Sequence, residues 1–174
     1  MPIYPNHPNH PNLYLLISGA VTAWRAGEIA SALRPYCDRL LIVQTPGARQ
    51  IVSPLTLSRI PGGVVIDAYL DQALQPRAPG APVIFAPCSF NSLNKLANGV
   101  ADNLALSICA EMIGLRMPVI VAVSVNEGLW AHPVVRTSVA TLSDWGVRVL
   151  APRDEGNGLT LAPINEIVAQ LSLA

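Results

Sequence analysis

Short apolar runs, each closed by a polar turn, dominate the pattern along this chain. Leu13-Tyr14-Leu15-Leu16-Ile17 ends at Ser18-Gly19, and Leu40-Leu41-Ile42-Val43 ends at Gln44-Thr45-Pro46-Gly47. Pro82-Val83-Ile84-Phe85-Ala86 stops at Pro87, and the run from Val119 to Val123 stops at Ser124-Val125-Asn126. Such unbroken Val/Ile/Leu runs predict strands buried on both faces. Val64-Val65-Ile66 and Val147-Arg148-Val149-Leu150 predict two more. Helical spacing falls between them. It predicts a helix from about Thr22 to Leu33, with Trp24, Ile29 and Leu33 on one face, and a short helix from Pro54 to Ile60. A long helix is expected over much of Leu93 to Gly114, another from Val134 to Trp145, and a closing one from Ile164 to Leu171. Strands alternating with helices predict an α/β protein: a Rossmann-like, doubly wound parallel sheet in a single three-layer α/β/α domain.

Two segments fall outside this alternation. Residues 1–12 carry prolines at a three-residue interval, which forbids a helix and predicts an extended, mobile arm ahead of a domain covering 13–174. His7 and His10 in that arm are read as solvated rather than metal-binding. Gln75 to Pro82 holds three prolines and a glycine and predicts a loop.

Composition narrows the functional classes. Half of the 174 residues are apolar (51%), only 13% are charged, and the net charge is +0. That balance gives no electrostatic footprint for nucleic acid. No apolar run reaches the length of a bilayer span, and no signal peptide is visible. Cys37, Cys88 and Cys109 are odd in number and lack metal spacing, so free thiols in a reducing cytoplasm are expected.

Candidate chemistry lies where strands end. Open α/β sheets bind ligands at the carboxyl ends of their strands. Ser18-Gly19-Ala20-Val21-Thr22 offers a glycine for close backbone approach and then the first N–H groups of a helix. It is not the G-x-G-x-x-G dinucleotide fingerprint, so a nicotinamide cofactor is disfavoured. Thr45 closes the second strand, as a ligand contact or as a cap for the Pro46-Gly47 turn. Pro87-Cys88-Ser89-Phe90-Asn91-Ser92 opens the long helix with small and hydroxyl residues, as a phosphate cradle or as an ordinary Ser cap. Asp102 and Asn103 are expected mid-helix, in a structural role.

The stretch from Pro87 to Leu104 also resembles the flavin-containing cysteine decarboxylases. This family includes phosphopantothenoylcysteine decarboxylase and the lantibiotic peptidyl-cysteine decarboxylases. Its fingerprint reads P-A-S-A-N-T, then K-I/L-A-N-G-I/V-x-D-N-L. Pro87, Ser89 and Asn91 match, Ser92 stands for Thr, and Cys88 stands where Ala is usual. Lys95, Ala97, Asn98, Gly99, Asp102, Asn103 and Leu104 continue the match. A second element, P-x-M-N-x-x-M-W, is matched at Asn126 and Trp130, with Val125 and Leu129 in place of the methionines and the proline missing.

The resemblance implies FMN as cofactor, with Gly19, Ala20, Thr22, Thr45, Pro87, Cys88, Ser89, Asn91 and Ser92 around it. Cys88 either packs as a small apolar residue or presents a thiolate under the helix start. The resemblance also implies oxidation of a substrate cysteine thiol and loss of the neighbouring carboxylate, which Asn126 would position. It implies trimers, trimers of trimers or a dodecamer, with sites shared between subunits. The family's catalytic histidine lies upstream of the P-A-S-A-N-T element. Here that neighbourhood reads Tyr69-Leu70-Asp71-Gln72-Ala73-Leu74-Gln75-Pro76, without histidine. His132 is the remaining ordered candidate, as a base or as a His-Pro turn residue. The alternatives are therefore a flavin-binding subunit completed by a His-bearing homologue, and a flavin reductase or redox carrier.

Overall fold

The computed structural model describes residues 10–74 and 81–173. The first nine residues of the expected arm, His7 included, and most of the loop after Leu74 lie outside them. The elements run β1 (His10–Ile17), α1 (Ala26–Leu33), β2 (Cys37–Gln44), α2 (Pro46–Arg49), α3 (Pro54–Ser58), β3 (Gly63–Ile66) and β4 (Val83–Cys88). They continue with α4 (Phe90–Ala97), α5 (Leu104–Gly114), β5 (Val119–Val123), α6 (Glu127–Trp130), α7 (Pro133–Asp144), β6 (Arg148–Leu150), β7 (Arg153–Asp154), β8 (Leu159–Thr160) and α8 (Ile164–Ala169).

The expected doubly wound sheet is present. Six parallel strands stand in the order β3-β2-β1-β4-β5-β6. Successive side chains on a strand serve opposite faces. Tyr14, Leu16, Leu41, Val43, Phe85, Val121 and Val123 pack into one layer with Leu93 and Leu96 of α4, Ile108 and Met112 of α5, and Leu142 of α7. Leu13, Leu15, Ile17, Leu40, Ile42, Ile84, Ala86, Ile120 and Ala122 pack into the other with Ile29 and Leu33 of α1, Leu57 of α3 and Ile167 of α8. Each fully buried Leu, Ile or Val contributes about 1.5–3 kcal/mol over its exposed state. Burial on both faces explains why these strands read as unbroken apolar runs.

Several expectations are corrected. β1 starts at His10, paired with Cys37 of β2, so the last arm residues belong to the sheet. The helix expected from Thr22 opens as a 3-10 turn over Val21–Arg25. That turn leaves Trp24 67% exposed, while Ala23, Ala26 and Ala30 join Ile29 and Leu33 in the buried layer. The long helix expected over Leu93 to Gly114 is two helices. Gly99 adopts φ 69°, a left-handed conformation that glycine takes without steric penalty, just after α4. Asn103 then caps α5, its Oδ1 accepting from Leu106 N–H at 3.2 Å. Asn103 is thus a helix start, and Asp102 lies in the connection. The short helices α2 and α6 and the β7/β8 hairpin had no counterpart in the sequence reading.

Candidate functional site

The strand order reverses direction between β1 and β4, and the carboxyl ends there are bonded together. Ser18 Oγ donates to Pro87 O at 2.8 Å and accepts from Ser89 N–H at 2.7 Å. The Ser18 N–H donates to the same Pro87 carbonyl at 3.0 Å. Neighbouring strand ends are tied in likewise: Thr45 N–H donates to Ile17 O at 2.9 Å, and Ser124 N–H donates to Cys88 O at 2.9 Å. The turns after β1, β2, β4 and β5 are therefore one connected rim.

A cavity of about 700 Å³ opens at this rim. Gly19, Ala20, Thr22, Thr45, Ser89, Asn91, Ser92 and Asn126 all line it. Sequence reasoning missed the contributions of Ser124, Lys95 and the hairpin residues Leu159 and Thr160. A hydroxyl next to a recognised motif position was the available signal for Ser124. The hairpin had only Gly156 and Gly158, both at positive φ, to announce it.

The local geometry follows from the residue types. Gly19 lies so close to the turn after β2 that no side chain fits there. Thr45 caps α2, its side chain accepting from Ala48 N–H at 3.3 Å. Ser89 caps α4, accepting from Ser92 N–H at 3.4 Å. Phe90 and Asn91, the first two helical residues, line the cavity, and their N–H groups have no intrahelical acceptor. Such a helix start favours an anionic group. Thr22 Oγ1 and Ser124 Oγ lie 2.7 Å apart, joining the turns after β1 and β5.

Asn126 lies at the cavity and also caps α6, its Oδ1 accepting from Leu129 N–H at 2.9 Å. Its Nδ2 has no acceptor among the described residues. The ionisable side chains among the described lining residues are Lys95 and Asp102, which form an ion pair with each other. That bond to Lys95 holds the Asp102 carboxyl below its ordinary range, and Asn103 Nδ2 adds a bond at 3.1 Å.

Pro87 and Cys88, expected around the cofactor, do not line the cavity. Pro87 acts through its carbonyl, as the acceptor of Ser18. Cys88 points into the core and is fully buried. Burial, with Cys109 nearby, pushes its thiol well above the ordinary value, which favours packing as a small apolar residue over a thiolate. His132 is also outside the lining. Its Nδ1 accepts from Val134 N–H at 3.2 Å to cap α7, and its ring meets Phe90 edge-on at 5.4 Å.

A doubly wound sheet with a cavity at its strand-order switch has the architecture in which open α/β proteins bind their ligands. The chain matches the Flavoprotein family over residues 2–172 and belongs to that family. It is 26% identical over 175 residues to the probable phosphopantothenoylcysteine decarboxylase of Streptococcus mutans, across 91% of this chain and 96% of that protein. It is 28% identical over 174 residues to the coenzyme A biosynthesis bifunctional protein of Haemophilus influenzae, of which it spans 42%. The fold is shared with a PPC decarboxylase variant complexed with pantothenoylaminoethenethiol, at TM-score 0.79 and 20% identity over 94% of this chain and 97% of that one. The FMN-binding protein AtHal3 is equally similar, at TM-score 0.79 and 21% identity over 94% of this chain and 95% of that one.

Proposed function

We propose that the chain binds FMN in this cavity and decarboxylates a substrate bearing a peptidyl or pantothenoyl-type cysteine. The observation that carries the reading is the convergence of four strand-end turns on one cavity of about 700 Å³, lined by hydroxyls and a helix start. A cavity of this size suits a cofactor-sized ligand. Gly19, Ala20, Thr22 and Thr45 would hold one end of FMN, and Ser89, Asn91 and Ser92 would hold another part of it. Pro87 and Cys88 would act from behind, by fixing the turn. The names of the relatives support the cofactor and the substrate class.

Bound FMN would supply the two-electron oxidation of the substrate thiol. The residues of the chain do the rest. Asn126, with Oδ1 committed to its helix cap, presents Nδ2 to the substrate carboxylate as a neutral donor. Leu129 and Leu159 line the cavity and would give a bound ligand apolar contact.

A second reading is favoured by one observation: Lys95 and Asp102 neutralise each other, and no histidine stands among the described lining residues. The chain would then be a flavin-binding subunit, completed by a histidine from a related chain. Either reading is compatible with self-association as a trimer or a multiple of one. Val21 and Leu70 are each 85% exposed, which leaves apolar surface for subunits to cover. The free cysteines among the described residues suit a cytoplasmic setting. Among the described residues, no helix is long and apolar enough to cross a membrane.

The test is to purify the protein, identify its cofactor by absorbance and mass, and assay carbon dioxide release. The substrates are a cysteine-terminated peptide and pantothenoylcysteine. FMN with release supports the first reading. FMN with release only after addition of a His-bearing homologue supports the second. A protein that ignores added FMN overturns both.

A further inference from the structure

The Thr22–Ser124 contact contains one more proton than it uses. Each hydroxyl carries one donor. At 2.7 Å one of them donates to the other, and that bond consumes a single proton. Neither oxygen has another hydrogen-bond partner among the described residues. Both residues are almost enclosed, Thr22 at 9% and Ser124 at 7% exposure, and both line the cavity. The remaining O–H therefore has only the cavity to serve. A buried donor left without an acceptor is costly, so its presence points to an acceptor supplied by the ligand.

Position relates this donor to Asn126. Ser124-Val125-Asn126 leaves the end of β5, and Asn126 is in extended backbone at φ -79° and ψ 171°. Residues two apart in extended chain share a face. Ser124, Val125 and Asn126 all line the cavity, and Val125 also packs into the core layer. The two flanking side chains therefore bring an O–H and an amide N–H to one wall. Ser124 occupies an unspecified position of the P-x-M-N element, so the motif assigns it no role.

We infer that Ser124, with Thr22, supplies a second donor, a hydroxyl, to a neutral carboxylate clamp with Asn126, and that this hydroxyl sets how strongly the acid is held over its amide. The inference rests on the reading of the cavity as a cysteine decarboxylase site. The clamp uses no cation, because Lys95 is held by Asp102. An anionic oxygen could also be the cofactor phosphate, and the experiment separates the two sources.

The experiment uses the protein as purified and ligands that cannot be oxidised. A serine-terminated pentapeptide and pantothenoylserine are each titrated as free acid and as amide, by calorimetry. Wild type should bind at least one acid about tenfold or more tightly than its amide. The Thr22→Val, Ser124→Ala double variant, measured with saturating added FMN because Thr22 is also a proposed FMN contact, should lose most of that ratio, whereas Ser124→Ala should keep the wild-type FMN content. Ser124→Ala alone should lose less of the ratio, since Thr22 can turn its own proton to the ligand. If the double variant fails to fold, Ser124→Cys, with a similar shape and a weaker donor, should reduce the ratio.

Three results overturn the inference: equal binding of acid and amide by wild type, no binding of either ligand, or an unchanged ratio in the folded double variant. A variant that loses FMN but keeps its acid preference assigns the hydroxyls to the phosphate and overturns it too. A wild-type protein that never takes up FMN overturns the decarboxylase reading instead. The acid-to-amide ratio of that protein still reports on the hydroxyl pair.

Discussion

Gly19 and Gly47 touch through their backbones. A Cβ placed on Gly19 would meet the Gly47 carbonyl carbon at 2.8 Å and its Cα at 3.0 Å. Backbone cannot swing aside like the end of a flexible side chain, so the turn after β2 would have to move. Gly19 and Gly47 both line the cavity, which makes their approach a determinant of its shape. Gly19→Ala should cost about 1–3 kcal/mol of stability, as overpacking does. It should also weaken FMN binding, read by fluorescence titration. Gly47→Ala, whose nearest contact is 3.5 Å, should be milder on both counts. Equal FMN affinity in wild type and Gly19→Ala would show that this approach does not shape the site.

Ser18 gives a second prediction, one of stability. It is 1% exposed, and its Oγ both donates to Pro87 O and accepts from Ser89 N–H. Ser18→Ala leaves the Ser89 N–H without its acceptor at the junction of β1 and β4. The expected loss is about 1–3 kcal/mol. It should appear as a lower urea midpoint with unchanged slope. An unchanged midpoint would mean that water replaces the hydroxyl there.

These two contacts show what a sequence can and cannot disclose. The strand from Val119 to Val123 is found where the apolar run lies, because burial on both faces leaves no other pattern. The turns after β1, β2 and β4 were legible as polar strand ends. The bonds between them were not, because Ser18 and Ser89 are 71 positions apart. The split between α4 and α5 was hidden by apolar spacing that continues on both sides of it. Gly99 and Asn103 were its signals, a left-handed glycine and a cap. The β7/β8 hairpin has two residues per strand, too few for any alternation to show.

The buried thiols set a pH dependence. Burial pushes Cys109 up to about 12 and Cys88 well above its ordinary value, so the folded protein keeps both protonated where an unfolded chain releases them. The folded state then binds more protons than the unfolded state above the ordinary thiol value. Stability must therefore fall as pH rises from about 9. We expect the urea midpoint to decline between about pH 8.5 and 10.5. The decline should be shallower in a Cys88→Ala, Cys109→Ala variant compared with its own value at neutral pH. Native protein at neutral pH should resist alkylation at both sites. A slope unchanged by the double substitution would assign the decline to other groups.

Asn126 carries the last prediction, and its two ends can be tested apart. Oδ1 caps α6 by accepting from Leu129 N–H at 2.9 Å, while Nδ2 is free to donate to a ligand. Asn126→Asp keeps an acceptor for the cap, and a carboxylate at a helix start is well placed. The fold and the cap should therefore survive. The substitution removes the amide donor and sets a negative charge against the substrate carboxylate, in the wall where Lys95 is already committed to Asp102. Substrate binding should fall by about tenfold or more, the scale of a lost bond to a charged group. FMN content should stay at the wild-type level, because the proposed FMN contacts lie on the turns after β1, β2 and β4 and do not include Asn126. Asn126→Ala should instead lose the cap and the donor together, costing about 1 kcal/mol of stability besides binding. The measurements are FMN content, carbon dioxide release and urea midpoint for the three proteins. Wild-type turnover in Asn126→Asp would leave Asn126 as a cap alone and remove the carboxylate contact from the mechanism.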